Sequence, residues 1–244
     1  ANVGIENLGI MLPMISHIGE IDESVKLIRR AHSELLNEGF DVPLPPVGVM
    51  IEVPAAVCLA GEIAKRVDFI SVGSNDLTQY LLAVDRNNPS VADLYCSYHP
   101  AVLQALQMIV SAAHEVSTPV SICGELAGDP GAALLLMAMG YDSLSMNATN
   151  LPKVKSVIRA FTKAEADSLL SDVMLMHSAD SIQSAIENVL EARGVTRFFR
   201  DSIRGGFASH SALPTKRPFY FWPISRNLFF FFYQAEDGIR DRDG

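Results

Sequence analysis

The sequence predicts an α/β protein built around a buried parallel sheet. Over residues 1–200, short runs rich in β-branched residues alternate with longer amphipathic runs. The short runs are apolar throughout, as expected for strands that are covered on both faces. An apolar fraction of 49% in 244 residues is enough for a sizeable core and excludes a disordered chain. Strictly alternating strands and helices are typical of a parallel sheet with helical crossovers.

Five apolar runs are the candidate strands. They are residues 8–13, 47–53, 68–73, 120–123 and 143–146. Five strand–helix units are too few to close an eight-stranded barrel. The pattern therefore leaves two architectures open, an open doubly wound sheet and a barrel whose first three strands lie upstream of Ala1.

The first predicted helix spans residues 20–38. Ile21, Val25, Ile28 and Leu35 lie on one stripe of this helix, and Gly39 is placed to end it. The other predicted crossover helices are residues 54–65, 90–114 and 130–139, and a helix over 151–160 follows the fifth strand. We predict that residues 163–193 form one or two terminal helices that pack outside the sheet.

The last 44 residues differ in composition from the rest. Residues 201–244 contain seven of the 12 Phe and the single Trp, without a strand or helix period. Their closing run, residues 234–241, is similar to translated sequencing-adapter DNA, so this tail is left out of the fold prediction. We expect three parts: residues 1–162 as part of a barrel, 163–200 as its terminal helices, and 201–244 as a non-native or disordered tail. Because the chain opens on Ala1 without a methionine or a basic leader, we expect a piece of a longer protein.

Charge and cysteine usage exclude several classes of function. The formal net charge is −9, which does not supply the basic face that nucleic-acid binding needs. No apolar stretch approaches the length of a membrane span. The three cysteines form no CxxC pair and no disulfide framework. We therefore expect a cytoplasmic protein that binds neither nucleic acid nor membranes.

Polar side chains follow the ends of three neighbouring predicted strands. The second strand ends at Glu52, the third runs into Asn75 and Asp76, and the fourth ends at Cys123. In parallel α/β folds these carboxyl ends form the active site. Two carboxylates on adjacent strands can share one hard cation such as Mg²⁺. The alternative for Asp76 is an N-cap of the helix that follows it.

An anion site is predicted beside these carboxylates. Gly73 permits close approach to the backbone, and the amides of Asn75 and Asp76 lie at a helix N-terminus, where anions bind. Arg86 follows ten residues after Asp76 and could add a bidentate guanidinium to the same phosphate or carboxylate. The alternative for Arg86 is a surface salt bridge with Asp85 or Asp93.

These residues form a continuous string, residues 68–86, which closely resembles the signature of phosphoenolpyruvate-utilising enzymes. The resemblance extends from about Leu8 to about Arg193 and includes residues 11–14, 48–56 and 123–129. Within that family the chain is most similar to the enzyme I group of the bacterial phosphotransferase system, the phosphoenolpyruvate-protein phosphotransferases. Residues 66–73 and 85–88 are nearer the nitrogen-related form than the sugar-transport form.

The resemblance implies a (β/α)8 barrel that binds phosphoenolpyruvate and Mg²⁺ and passes the phosphoryl group to a histidine on a separate domain, releasing pyruvate. Glu52 and Asp76 match the two metal ligands, and Asn75, Asp76 and Arg86 match the phosphate-binding residues. Cys123 matches the acid that protonates the methylene carbon of enolpyruvate. The family also implies a homodimer and a phosphocarrier protein as the next acceptor of the phosphoryl group. This piece matches only about strands 4 to 8 of the eight-stranded barrel. We therefore expect its site to be incomplete and inactive on its own.

Three other functions remain open. Phosphoenolpyruvate synthase and pyruvate phosphate dikinase share the core motifs and differ in an ATP-binding domain. A Mg²⁺-enolate aldolase or lyase also places a Glu and an Asp on adjacent strands, although Arg86 and Cys123 argue against it. The third is a truncated, non-catalytic binding or dimerisation module.

Overall fold

The computed structural model describes residues 8–195 and 220–223, and it confirms the α/β class. The sheet contains five parallel strands that follow one another in chain order. They are β1 (Ile10–Leu12), β2 (Val47–Ile51), β3 (Phe69–Gly73), β4 (Val120–Cys123) and β5 (Ser143–Met146). All five lie within the predicted runs.

The strand order decides between the two architectures that the sequence left open. Each new strand adds to the same side of the sheet, in the order β1-β2-β3-β4-β5, and none returns to the other edge. A doubly wound sheet reverses its direction at a switch point, whereas a (β/α) barrel adds strands in one direction around its axis. The sheet is therefore an arc of the barrel type.

Nine α-helices lie within residues 8–195. They are α1 (Ile18–Asn37), α2 (Pro54–Cys58), α3 (Ala60–Ala64), α4 (Ser74–Leu82), α5 (Pro100–His114), α6 (Pro130–Met139), α7 (Leu151–Ala160), α8 (Lys163–Val173) and α9 (Ala179–Ala192). The predicted helix over residues 20–38 is confirmed as α1, and Gly39 follows it with a positive φ of 88°. The predicted helix over 54–65 is present as the two short helices α2 and α3.

The prediction of one helix over residues 90–114 is wrong in its first ten residues. A short 3₁₀ turn occupies Ala92–Leu94, and α5 begins only at Pro100. Proline disfavours helical backbone in the residue before it and is well suited to the first helical turn. His99 has extended backbone, and its Nδ1 accepts the Ala101 N–H at 3.1 Å, which caps the helix at that point.

The core lies between the sheet and its helices. Helix α6 is almost wholly buried, and α7, α8 and α9 add Val154, Leu169 and Ile186 to the same apolar cluster. This packing holds the strands in a fixed register and so fixes the positions of the residues at their carboxyl ends. None of the helices in residues 8–195 is both long and apolar enough to cross a membrane.

The predicted tail, residues 201–244, lies outside the described residues except for 220–223. Those four residues form β6 (Tyr220–Pro223), which pairs antiparallel with β5. Sequence patterning missed this strand because the tail has no alternation of polar and apolar residues.

Candidate active site

The carboxyl ends of β1 to β4 carry the side chains and amides of the candidate site. Met14 lies two residues beyond β1, Glu52 directly follows β2, Asp76 lies in the first turn after β3, and Cys123 is the last residue of β4. Because adjacent parallel strands end at the same edge of the sheet, these four residues line one rim.

Glu52 is held at this rim in a buried position. Only 4% of the residue is exposed, and the Met14 backbone N–H donates to Oε1 at 2.7 Å. A Cβ at Gly73 would lie 2.8 Å from Oε2, closer than real contacts allow. Glycine at position 73 therefore leaves room for the Glu52 carboxylate, in addition to the ligand approach that the sequence suggested.

The surroundings of Glu52 favour its neutral form. Burial raises the pKa of the Glu52 carboxyl, the Met14 amide opposes that rise, and the negative charge of Asp76 adds to it. A shared cation stabilises two neighbouring carboxylates that otherwise repel each other.

Asp76 lies in the third position of α4 and does not cap it. The helix begins at Ser74 after Gly73, without a side-chain cap, so the N-cap alternative for Asp76 is wrong. Its Oδ1 forms an ion pair with Arg86 Nη2 at 3.1 Å. The Arg86 backbone N–H donates to Gln79 Oε1 at 3.2 Å, which ties the loop after α4 back to the helix. Arg86 thus forms its ion pair with Asp76, whereas the alternative placed it on Asp85 or Asp93.

Asn75 joins the ends of β3 and β4. Its Oδ1 accepts the Glu125 N–H at 3.0 Å, and the Ser74 hydroxyl donates to the Cys123 carbonyl at 2.7 Å. Gly124 between them has a φ of 103°, and a Cβ there would lie 2.3 Å from Ser74 Oγ. This close junction fixes the start of α4, and with it the Asn75 and Asp76 amides, against the strand that ends in Cys123.

Cys123 is a protonated thiol at neutral pH. Burial, with smaller effects of the Glu52 and Asp76 charges, raises the pKa of Cys123 to about 11, although the Ser71 hydroxyl lowers it. The Sγ lies 3.5 Å from the Val72 carbonyl oxygen, to which the thiol donates. A protonated thiol at the rim can give a proton to a strongly basic carbon, but it is a poor nucleophile.

The structure brings the five predicted residues together at one rim of the sheet. Glu52 interacts with Asp76, Asp76 pairs with Arg86, and the Asn75 and Cys123 junction fixes the helix that carries Asp76. Their chemical roles stay predictions. In residues 8–195 no group of three or more His, Cys, Asp or Glu side chains is arranged to hold a metal ion. The candidate cation ligands are therefore the pair Glu52 and Asp76, which leaves coordination positions for water and substrate oxygens.

Sequence reasoning missed two contributors. The first is the Met14 amide, whose position just beyond β1 was the available signal, since it follows a strand end as Glu52 and Asp76 do. The second is Tyr95, whose hydroxyl donates to the Asn75 carbonyl at 3.4 Å. Burial raises the pKa of Tyr95 above its ordinary range. Nothing in the sequence around Tyr95 indicates this contact, because it depends on the path of the loop after α4.

Comparison with known proteins identifies the family. The family described as PEP-utilising enzyme, PEP-binding domain, matches residues 1–163. A protein of Escherichia coli strain K12, "Phosphoenolpyruvate-dependent phosphotransferase system", is 43% identical over 207 residues, 84% of this chain and 27% of that protein. A "Phosphoenolpyruvate-protein phosphotransferase" of Haemophilus influenzae is 42% identical over 185 residues, 75% of this chain and 32% of that protein.

Among solved structures, the comparison found a citrate lyase of Burkholderia xenovorans. It has a TM-score of 0.45 and 15% identity, and the match covers 76% of this chain and 64% of the other. The chain spans roughly a third of the length of the curated relatives that it matches, between 27% and 33%. The family match over residues 1–163 shows that this chain belongs to the phosphoenolpyruvate-utilising enzymes and carries sequence of their phosphoenolpyruvate-binding domain.

Proposed function

We propose that the rim formed by Glu52, Asp76, Asn75, Arg86 and Cys123 binds phosphoenolpyruvate together with Mg²⁺. The strongest support for this proposal is that Glu52 interacts electrostatically with Asp76, while Asp76 forms an ion pair with Arg86. Two carboxylates therefore lie near each other, and one of them lies beside a guanidinium. Carboxylates suit a hard divalent cation, and a guanidinium suits a phosphate. Glu52 and Asp76 would hold the cation.

The phosphoryl group would bind between the start of α4 and Arg86. Among the described residues, Arg86 Nη1 is buried and has no hydrogen-bond partner, while Nη2 is held by Asp76. A buried donor without a partner is costly, so a phosphate oxygen at Nη1 would stabilise the site. The Asn75 and Asp76 amides in the first turn of α4 add donors and the positive end of the helix dipole.

Phosphoryl transfer at this rim requires positioning and positive charge more than covalent chemistry by the protein. The phosphorus–oxygen bond of phosphoenolpyruvate breaks, its electron pair stays on the enol oxygen, and the phosphoryl group forms a bond to a histidine nitrogen of another domain. When bound, Mg²⁺ supplies positive charge to the phosphate and enol oxygens. The Cys123 thiol then gives its proton to the methylene carbon, which yields pyruvate, and the thiolate recovers a proton from water.

For the complete protein we propose enzyme I activity. The relatives named above support transfer of the phosphoryl group onward to a small phosphocarrier protein. The sequences of residues 66–73 and 85–88 support the nitrogen-related form.

We also propose a homodimer in the cytoplasm. The three cysteines, Cys58, Cys96 and Cys123, are all free thiols, in keeping with a reducing compartment. The same proposal assigns residues 1–162 and 163–200 to one barrel domain. It treats 201–244 as a tail added to that domain, although β6 within the tail pairs with β5.

Calorimetric titration of the 244-residue chain with phosphoenolpyruvate tests the site. We expect heat of binding in Mg²⁺ and none after chelation of the cation, and Glu52→Gln should abolish the Mg²⁺-dependent signal. The matched control is Glu62→Gln, which changes an exposed Glu that pairs with Lys65 and Arg66 on the surface. If wild type and Glu52→Gln both bind no ligand, the non-catalytic module is the better description. Carbon–carbon bond formation with pyruvate in the absence of phosphate would instead favour an aldolase or lyase.

A further inference from the structure

We infer that Met14 is a positioning residue, whose backbone amide in the left-handed conformation orients the Glu52 carboxylate for its cation. This inference depends on the cation site of the proposed function and adds a residue to it. The relevant atoms are the Met14 N–H and Glu52 Oε1, which lie 2.7 Å apart across 38 residues of sequence.

The Met14 backbone has an unusual conformation for its residue type. Its φ is 54°, one of three positive values among non-glycine residues in the described chain. A side chain with a Cβ disfavours this region, so surrounding interactions must maintain it. The short hydrogen bond to Glu52 is such an interaction, because it directs the amide at a buried carboxylate.

The Met14 side chain does not explain the conformation. The residue is 49% exposed, whereas Ile15 after it is buried at 6%. An exposed side chain gains little from packing, and therefore the backbone amide is the part of Met14 with a defined partner.

The amide also determines which Glu52 oxygen is available. With Oε1 engaged by Met14, Oε2 is the oxygen left for a cation shared with Asp76, and Gly73 provides its space. A neighbouring group that orients a metal ligand typically changes metal affinity about 10- to 100-fold when it is removed.

Three substitutions separate the backbone from the side chain. Met14→Gly removes the side chain but adopts a positive φ readily, and Met14→Asn tolerates it. Met14→Val retains an apolar side chain, but its β-branch strongly disfavours a positive φ. The dissociation constant of Mn²⁺ is measured from the electron paramagnetic resonance signal of free Mn²⁺, at a fixed concentration of phosphoenolpyruvate. Thermal unfolding confirms that each variant is folded.

We expect Met14→Gly and Met14→Asn to bind Mn²⁺ within about twofold of wild type and Met14→Val to bind about tenfold or more weakly. If Met14 had only a structural role, Mn²⁺ affinity across the variants would correlate with thermal stability or side-chain volume. It would not correlate with how well each residue tolerates a positive φ. Suppose that Glu52→Gln abolishes Mn²⁺ binding, so that the cation site is correct. The positioning role would then be overturned if Met14→Val bound Mn²⁺ as tightly as wild type, or if Met14→Gly lost affinity for Mn²⁺. If Glu52→Gln binds Mn²⁺ like wild type, the cation site itself is wrong and the role of Met14 is overturned with it.

Discussion

Arg86 Nη2 lies 3.1 Å from Asp76 Oδ1, so the guanidinium that faces the proposed phosphate site is held by one of the two proposed cation ligands. Asp76 thereby connects the two halves of the site. Both side chains are about one-third exposed, at 32% and 33%, which leaves them accessible to a ligand at the rim. A phosphate that contacts the cation would therefore also be within the region served by Arg86.

The first prediction concerns the shape of the Arg86 side chain. Arg86→Lys keeps the charge but loses the planar pair of donors, of which Nη2 is engaged by Asp76 and Nη1 is buried. We expect phosphoenolpyruvate binding in Mg²⁺ to weaken about 10- to 100-fold, equivalent to the ~1.5–3 kcal/mol of a hydrogen bond to a charged group. Calorimetry measures the effect, and Arg66→Lys at a surface ion pair is the matched control. An equal effect in both variants would contradict the assignment.

The second prediction concerns the space beside Glu52. In Gly73→Ala the new Cβ would lie 2.8 Å from Glu52 Oε2, so the carboxylate must move. We expect Mg²⁺-dependent ligand binding to be lost while the far-ultraviolet circular dichroism spectrum is retained. The control is Gly61→Ala in α3, where the nearest atom to the new Cβ is Ala112 Cβ at 3.9 Å. That variant should bind normally and gain about 0.5–1 kcal/mol of stability from replacing a helical glycine. Normal binding in Gly73→Ala would show that the Glu52 position is not critical.

The third prediction concerns the protonation of Cys123. Because burial raises the pKa of its thiol to about 11, only about one molecule in ten thousand carries the thiolate at pH 7. Alkylation by iodoacetamide should therefore be slow at neutral pH and should accelerate tenfold per pH unit up to about pH 11. Peptide mass spectrometry distinguishes Cys123 from the exposed Cys58, which serves as the internal control. A Cys123 rate that levels off at or below pH 9 would contradict the burial of the thiol.

The fourth prediction concerns stability in the absence of a cation. The native state raises the pKa of Glu52 above its ordinary 4.5, so it binds this proton more tightly than the unfolded state does. The stabilisation from the protonated form is present below pH 4.5 and is lost as pH rises through the native pKa. We therefore expect Glu52→Gln to raise the melting temperature at pH 7 in the presence of a chelator, and to raise it less at pH 4.

The control for that experiment has the opposite sign. Lys65 and Arg66 lower the pKa of Glu62, so neutralising Glu62 removes favourable interactions of the ionised form. Glu62→Gln should leave the melting temperature at pH 7 unchanged or lower it, because this ion pair is exposed. A decrease of the melting temperature in Glu52→Gln at pH 7 would show that the ionised carboxylate stabilises the fold.

Much of the site could be predicted because the ends of apolar runs in the sequence mark the ends of strands. The apolar runs that became β2, β3 and β4 end at Glu52, Gly73 and Cys123, and parallel strands bring such ends to one rim. The pairing of Arg86 with Asp76 could not be predicted, because the loop after α4 determines it and loop paths depend on tertiary contacts. For the same reason, the sequence predicted a helix from residue 90, whereas the structure has only the 3₁₀ turn Ala92–Leu94 before α5 begins at Pro100.

The position of Met14 after a strand end could be seen in the sequence, but the contact of its amide with Glu52 could not. Periodicity reports which face a side chain occupies, but it does not report the direction of a backbone amide or a positive φ in a non-glycine residue. The architecture was left open at the sequence level for a related reason. Alternating strands and helices specify a parallel sheet but not the order in which the strands are placed, and only the observed order β1-β2-β3-β4-β5 distinguishes a barrel arc from a doubly wound sheet.

A crystal structure of the chain grown with Mn²⁺ and phosphoenolpyruvate is the most direct test of the proposed site. We predict an anomalous difference peak between the carboxylates of Glu52 and Asp76, with a phosphate oxygen in hydrogen-bond contact with Arg86 and the methylene carbon facing Cys123 Sγ. Manganese bound elsewhere, or a ligand that contacts neither carboxylate of this pair, would contradict the account.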